Sequence, residues 1–182
     1  MLVRSPEIKD FAKSGSIFKL AQQLLGGTLI PVRAILFDKT PATNWYVTWH
    51  QDLSIPVQRR FESEGYGPWS IRDGVVHVQP PASILEKMVS LRIHLDPCSE
   101  ENGPIKFIAG SHLSGVLETS EIERWRNERE TVVCPAGRGD IIAMRPLILH
   151  SSLIAESPEH RRVLHIEYAA VQLPAGMRWG QA

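Results

Sequence analysis

Between residues 6 and 25 the apolar positions Ile17, Leu20, Ala21, Leu24 and Leu25 recur at the i, i+3, i+4, i+7, i+8 spacing of one buried helical face. The pattern predicts a helix over 6–25, with Ser14 or Ser16 able to cap it and Gly26-Gly27 ending it. After Gly27 the pattern changes. Thr28 to Phe37 is rich in β-branched and aromatic residues, and Trp45–His50, Val75–Gln79, Met88–Leu95 and Ile105–Ala109 also read as strands. So do Thr131–Cys134, Asp140–Met144, Leu147–Leu153 and Arg162–Val171. Turn signals separate them, among them Lys39-Thr40-Pro41, Arg72-Asp73-Gly74, Glu101-Asn102-Gly103-Pro104 and Pro135-Ala136-Gly137-Arg138-Gly139. One helix interrupts the run, where Ser120-Glu121-Ile122-Glu123 looks like a capping box and Trp125 supplies an apolar anchor. About nine short strands with regular turns predict a mainly β sandwich or barrel, with a jelly roll as the leading choice because it has a deep mouth between two sheets. The N-terminal helix is expected to flank one sheet.

At 182 residues the expectation is a single domain, 1–182, with a helical lead-in over 1–27 and a β core over 28–171. A chain of this length buries about 70% of its unfolded surface and needs no staples. Twenty basic residues balance twenty acidic ones. That disfavours a protein held to nucleic acid by phosphate neutralisation. No apolar run is long enough to span a bilayer, and Met1-Leu2-Val3-Arg4-Ser5-Pro6 has no signal-peptide core, so no membrane partner is expected. Cys98 and Cys134 are too few for a disulfide framework and fit a reducing, cytoplasmic setting; without a CxxC pair they do not suggest zinc. Seven histidines invite a search for a metal.

Iron(II) that must bind both a cosubstrate and oxygen needs three protein ligands on one face, and two histidines with one carboxylate supply them. On a strand, residues i and i+2 point the same way, so His-x-Asp delivers two ligands from one edge. Three such pairs occur: His50-Gln51-Asp52, His94-Leu95-Asp96 and His165-Ile166-Glu167. The last has no histidine after it. The second precedes His112 and His150 and competes with the first, which ends the aromatic run from Trp45. His150 ends a second apolar strand, and eleven residues later Arg161 opens another, among Val163, Leu164 and Ile166. An arginine in such a pocket offers a bidentate fork to a carboxylate. A five-carbon keto diacid would reach from a metal to that fork. The plainer alternative for Arg161 is a surface ion pair with Glu156 or Glu159.

Trp49-His50-Gln51-Asp52, then Asn102-Gly103-Pro104 with Ala109-Gly110-Ser111-His112, then His150 with Arg161, resembles the phytanoyl-CoA dioxygenase family over roughly residues 28 to 170. The resemblance implies a cupin-like double-stranded β-helix with a flanking N-terminal helix and one inserted helix. It also implies an Fe(II)- and 2-oxoglutarate-dependent oxygenase that uses O2, with ascorbate as a possible reductant. The family pattern falls on His50, Asp52 and His150 as metal ligands and catalytic centre, and on Arg161 for the far carboxylate. Ser152 takes the place of a hydroxyl that helps hold the cosubstrate. A carboxylate at Asp52 implies hydroxylation rather than halogenation. Trp69, in a loop where the family often sets an aromatic over the cosubstrate, and Asn44, just upstream of the metal strand, are candidate cosubstrate contacts. Arg92 and Lys39 are candidate substrate contacts. The N-terminal segment is shorter than the family's usual one. The expected partner is a small or medium organic molecule. Two other functions compete: a catalytically silent cupin-like metal- or ligand-binding module, and a zinc hydrolase or isomerase on a jelly roll.

Overall fold

The computed structural model describes residues 2, 5–156 and 160–181. Two helices lead in, α1 (Pro6–Lys13) and α2 (Gly15–Leu25). Strands β1 (Ile30–Lys39), β2 (Val47–His50), β3 (Ile55–Val57), β4 (Trp69–Arg72) and β5 (Val75–Val78) follow. After a single turn, α3 (Ala82–Leu85), come β6 (Met88–His94), β7 (Ile105–Ile108) and the helix α4 (Thr119–Glu128). Strands β8 (Thr131–Cys134), β9 (Ile141–Met144), β10 (His150–Ser152) and β11 (Arg161–Ala169) complete the order.

The single helix expected over 6–25 is two helices, and the apolar positions that predicted it, Ile17 to Leu25, all lie in the second. Ser5 caps α1, its hydroxyl accepting from Ile8 N–H at 3.3 Å. Ser14 is extended, and Gly15 has φ +70, a left-handed conformation that glycine adopts without penalty. The Ser14 hydroxyl donates back to Asp10 O at 2.7 Å, so it closes the first helix and does not cap the second. The inserted helix is also capped differently from expectation. Its N-cap is Glu118, whose N–H donates to the Glu121 carboxylate at 2.9 Å, and Ser120 lies inside the first turn.

The chain forms two compact units. One takes in the described residues up to Ile35, Leu53–Leu91, and the residues from His165 onward. Here β3, β5 and β4 form an antiparallel sheet with β5 in the centre. Tyr168 of β11 is fully buried, stands edge-on to Phe18 of α2 at 6.3 Å, and donates its hydroxyl to Ala12 O at 2.9 Å. The lead-in helices are thereby packed onto that strand. Glu167 accepts from Arg33 at 3.4 Å and lies 3.4 Å from His165 Nε2, a buried polar cluster.

The other unit comprises Leu36–Asp52 and the described part of Arg92–Leu164. Its sheet has the order β2-β10-β7-β8. Ile105, Phe107 and Met144 form one core cluster, against which Cys134, Ile142 and Ile148 pack. Ile108, Leu117 and Leu149 form a second, with Trp49, Ile122 and Trp125 closing it, so the expected anchor Trp125 does hold α4 down. The strand expected over 147–153 is shorter, because Ile148 N–H donates to Arg145 O at 3.1 Å in a turn; pairing begins at His150. A further four-stranded sheet has the order β1-β11-β6-β9.

Candidate metal centre

Strands β2 and β10 pair antiparallel with His50 directly opposite His150; the register shifts before Ser152 meets Val47. Directly opposed residues in an antiparallel pair share a face. The two imidazoles accordingly lie 4.2 Å apart between ring centroids, tilted by 50°. Asp52 follows two residues after His50, where the chain leaves the strand, and its N–H donates to Pro146 O at 2.8 Å. Its carboxylate reaches both rings: Oδ1 lies 3.7 Å from His50 Nε2, and Oδ2 lies 3.7 Å from His150 Nε2. Among the described residues this is the one group of three or more His, Cys, Asp or Glu side chains whose donor atoms converge, all within 4.8 Å of one another.

The donor chemistry fits a metal. His50 Nδ1 lies 2.8 Å from Thr48 O, and His150 Nδ1 lies 2.9 Å from Ile148 O. A carbonyl only accepts, so each Nδ1 carries a proton, and in the neutral imidazole Nε2 is the nitrogen that holds the lone pair. Both lone pairs belong to the nitrogens nearest Asp52. Burial pushes the His150 imidazole down to about 4, with Asp52 opposing and His50 adding to the shift. His150 is therefore neutral at neutral pH, the form a metal requires. The His50 and Asp52 side chains are 37% and 33% exposed, which keeps one side of the group open to solvent.

Gln51, between His50 and Asp52, points the other way and is buried. Its amide nitrogen donates to Leu147 O at 2.7 Å and Gly115 O at 2.8 Å, and its oxygen accepts from Leu117 N–H at 2.8 Å. Three backbone groups from two other segments thus fix the residue that joins His50 to Asp52. Ser111 does similar work behind the distal histidine: its hydroxyl donates to Ile108 O and accepts from Leu149 N–H, both at 2.8 Å. Neither role is visible in the sequence beyond the rule that i+1 on a strand faces the opposite side.

A second polar group lies in the same unit. Arg161 is 5% exposed, so it is no surface ion pair. Its Nη1 donates to Asn102 O at 3.4 Å and to Gly103 O, and lies 3.8 Å from the Cys98 thiol. Its Nε is buried with no hydrogen-bond partner among the described residues. Glu156 is exposed and bonds through its backbone to Glu101, while Glu159 lies outside the described residues. Lys39 is 2% exposed, with Nζ donating to Ser152 Oγ at 3.3 Å and to Leu153 O at 3.1 Å, and lying 5.3 Å from the Trp45 ring centroid. Burial, reinforced by the charge of Arg161, lowers its amine to about 8. Lys39 and Arg161 are thus two buried cations bonded to neutral oxygens.

The remaining candidates are placed as follows. Asn44 spends both ends of its amide on Ala155, donating to its O and accepting from its N–H, both at 2.9 Å, which clasps the loop after β10. Arg92 on β6 is half-buried over the Phe37 ring, 5.4 Å from its centroid. Desolvation brings its guanidinium down to about 10, with Arg161 adding to the shift and Asp52 opposing it. Trp69 belongs to the other unit, on β4, with Arg60 5.6 Å from its ring centroid and its indole N–H buried without a partner among the described residues. The competing pair His94-x-Asp96 does not converge on a metal geometry. Asp96 takes a two-pronged bond from Arg162, at 2.7 Å on each oxygen, which holds its carboxyl down to about 2. Neither ring nitrogen of His94 has a hydrogen-bond partner among the described residues.

The family model described as phytanoyl-CoA dioxygenase matches residues 3–163. The chain belongs to the phytanoyl-CoA dioxygenase family. An L-proline trans-4-hydroxylase of Streptomyces griseoviridis is 29% identical over 178 residues, taking in 84% of this chain and 59% of the relative. The chain therefore spans about three-fifths of the length of that curated relative. Among solved structures, AviO1 from Streptomyces viridochromogenes matches with a TM-score of 0.63 at 24% identity, covering 94% of this chain and 62% of that one. EctD from S. alaskensis matches with a TM-score of 0.69 at 18% identity, covering 93% and 55%. These likenesses identify the fold of this family member as the mainly β, cupin-like jelly roll. No helix among the described residues is long and apolar enough to cross a membrane.

Proposed function

We propose that this chain is an Fe(II)- and 2-oxoglutarate-dependent oxygenase that hydroxylates a small or medium organic substrate. The observation that carries the reading is the convergence of His50 Nε2, His150 Nε2 and the Asp52 carboxylate, with both tautomers set by backbone carbonyls. The family assignment and the hydroxylase relative support it. His50, Asp52 and His150 would hold iron(II). Bound iron, with 2-oxoglutarate and oxygen, supplies the oxidant for a C–H bond, and the keto acid leaves as succinate and carbon dioxide.

The chain's own residues bind and orient. Arg161 and Lys39 would receive the far carboxylate of 2-oxoglutarate, because two desolvated cations bonded only to neutral oxygens favour an anion beside them. Ser152 accepts from Lys39, which leaves its own hydroxyl proton to donate to the same carboxylate. Arg92, lying within electrostatic reach of both Asp52 and Arg161, is suited to an anionic group on the substrate. Thr48 O and Ile148 O hold the two imidazoles in the ligating tautomer throughout.

The test is an aerobic screen of metabolite extracts with iron(II), 2-oxoglutarate and ascorbate, reading succinate and a mass gain of one oxygen. Succinate formation that His50→Ala and His150→Ala abolish, together with loss of iron binding in both variants, supports the oxygenase. Iron and 2-oxoglutarate binding without succinate, in the presence and absence of substrates, would leave a silent binding module instead.

A further inference from the structure

His94 belongs to neither the triad nor a satisfied core network. It is 3% exposed, and both ring nitrogens are buried without a partner among the described residues. Buried polar side-chain atoms in folded proteins are overwhelmingly hydrogen-bonded, so an exception asks for an explanation. The backbone around it is firmly held. Its N–H donates to Asp140 O at 3.0 Å, and its carbonyl accepts from Gly139 N–H at 2.8 Å. On the adjacent strand, Arg162 O accepts from Leu95 N–H at 2.9 Å. His94 and Arg161 each lie one residue from that bond, on neighbouring strands. Arg161 Nε, too, is buried with no hydrogen-bond partner among the described residues. Its Nη1 is engaged by Asn102 O and Gly103 O, so the edge of the guanidinium that carries Nε is the one left for a ligand. Burial and the nearby charges of Arg92 and Arg161 hold the His94 imidazole at about 4. It is neutral at neutral pH, with one N–H to give and no added charge beside two cations already buried there.

We propose that His94 is a cosubstrate-binding residue whose ring N–H joins Arg161 Nε–H in receiving the far carboxylate of 2-oxoglutarate. This rests on the reading of Arg161 and the metal triad given above. A neutral donor from a rigid strand reads the length of the diacid without increasing the repulsion between Lys39 and Arg161.

The experiment is anaerobic calorimetric titration of the iron(II) protein with 2-oxoglutarate and, separately, with 2-oxobutyrate, which keeps the chelating end and lacks the far carboxylate. His94→Phe keeps a ring without a donor, and His94→Gln keeps an N–H. The phenylalanine variant is expected to weaken 2-oxoglutarate about tenfold and leave 2-oxobutyrate within about twofold, while glutamine recovers most of the loss. Equal weakening of both acids, or unchanged 2-oxoglutarate binding, overturns the proposal. Arg161→Gln separates the two levels. If the wild-type protein does not prefer 2-oxoglutarate, or Arg161→Gln leaves the preference intact, the Arg161 reading fails and the His94 proposal with it. If Arg161→Gln erases the preference and His94→Phe does not, only His94 is misassigned. Should His94→Phe not fold, His94→Leu carries the same comparison.

Discussion

Gln51→Leu tests whether the triad is held from behind. The substitution keeps an apolar side chain of similar reach and removes three bonds, to Leu147 O, Gly115 O and Leu117 N–H, at 2.7–2.8 Å. All three partners are main-chain groups bonded to a side chain that is itself 7% exposed. A buried main-chain group left without a partner costs about 1–3 kcal/mol, so the change should lower stability by roughly 3–5 kcal/mol. That is a large part of the 5–15 kcal/mol typical of a folded domain, and corresponds to about 10 °C in Tm for a chain of this size. Because Gln51 links His50 to Asp52, the metal site should loosen as well. Urea denaturation of the metal-free protein reads the first effect, and calorimetric iron(II) titration under anaerobic conditions reads the second. Stability within 1 kcal/mol of wild type with unchanged iron affinity would show that the ligand strand is positioned by something other than this amide.

Two further outcomes follow from the buried charges. Lys39 has its pKa lowered to about 8, so keeping it charged below that value opposes folding. Lys39→Met should therefore raise metal-free stability at pH 7 by about 1–3 kcal/mol while weakening 2-oxoglutarate binding several-fold, read by denaturation and calorimetry on the same variant; lower stability would refute the argument. In the wild type, 2-oxoglutarate affinity should fall as pH rises through about 8, where Lys39 loses its proton. His150 and His94 both sit near 4 in the folded chain, below the unfolded value of about 6.5. Between those values the unfolded chain binds more protons, so metal-free stability should decline as pH drops from about 6.5 to 4, by roughly 1–2 kcal/mol at pH 5 from His94 alone. A flat urea midpoint across that window would contradict the buried, neutral state of both rings.

The triad was readable because its spacing obeys a local rule. His50 and Asp52 share a face at the end of a strand, and the apolar run Leu147-Ile148-Leu149 leads into His150, where pairing begins. Choosing between His50-x-Asp52 and His94-x-Asp96 was beyond local rules, since both pairs have the same period. What separates them is Arg162, which captures Asp96 across two strands. Lysine usually reads as surface, so nothing local marks Lys39 as buried; its position depends on Ser152 and Leu153 from a distant strand. The break at Ser14-Gly15 was missed because the apolar pattern, Ile17 to Leu25, lies wholly beyond it and carries no information about residues 6–14. Strand β4, Trp69-Ser70-Ile71-Arg72, alternates over only four residues, too short a run to mark a strand, and the alternation serves no buried face, since Ile71 is 74% exposed. Its pairing is set by β5, through main-chain bonds that side-chain patterns do not encode.

His50 and His150 face each other across one strand pair, yet they lie roughly a hundred residues apart along the chain. An ion gripped by both would act as a rivet through that seam, closing a loop of more than half the polypeptide. The unfolded chain has no such grip, so every increment of free iron above the dissociation constant adds to the resistance to melting, about 2.7 kcal/mol at a hundredfold excess. Without iron the two strands would keep their hydrogen bonds, the Gln51 and Ser111 clasps and the core around Leu149, but not the rivet, and resistance to melting would fall with the metal supply.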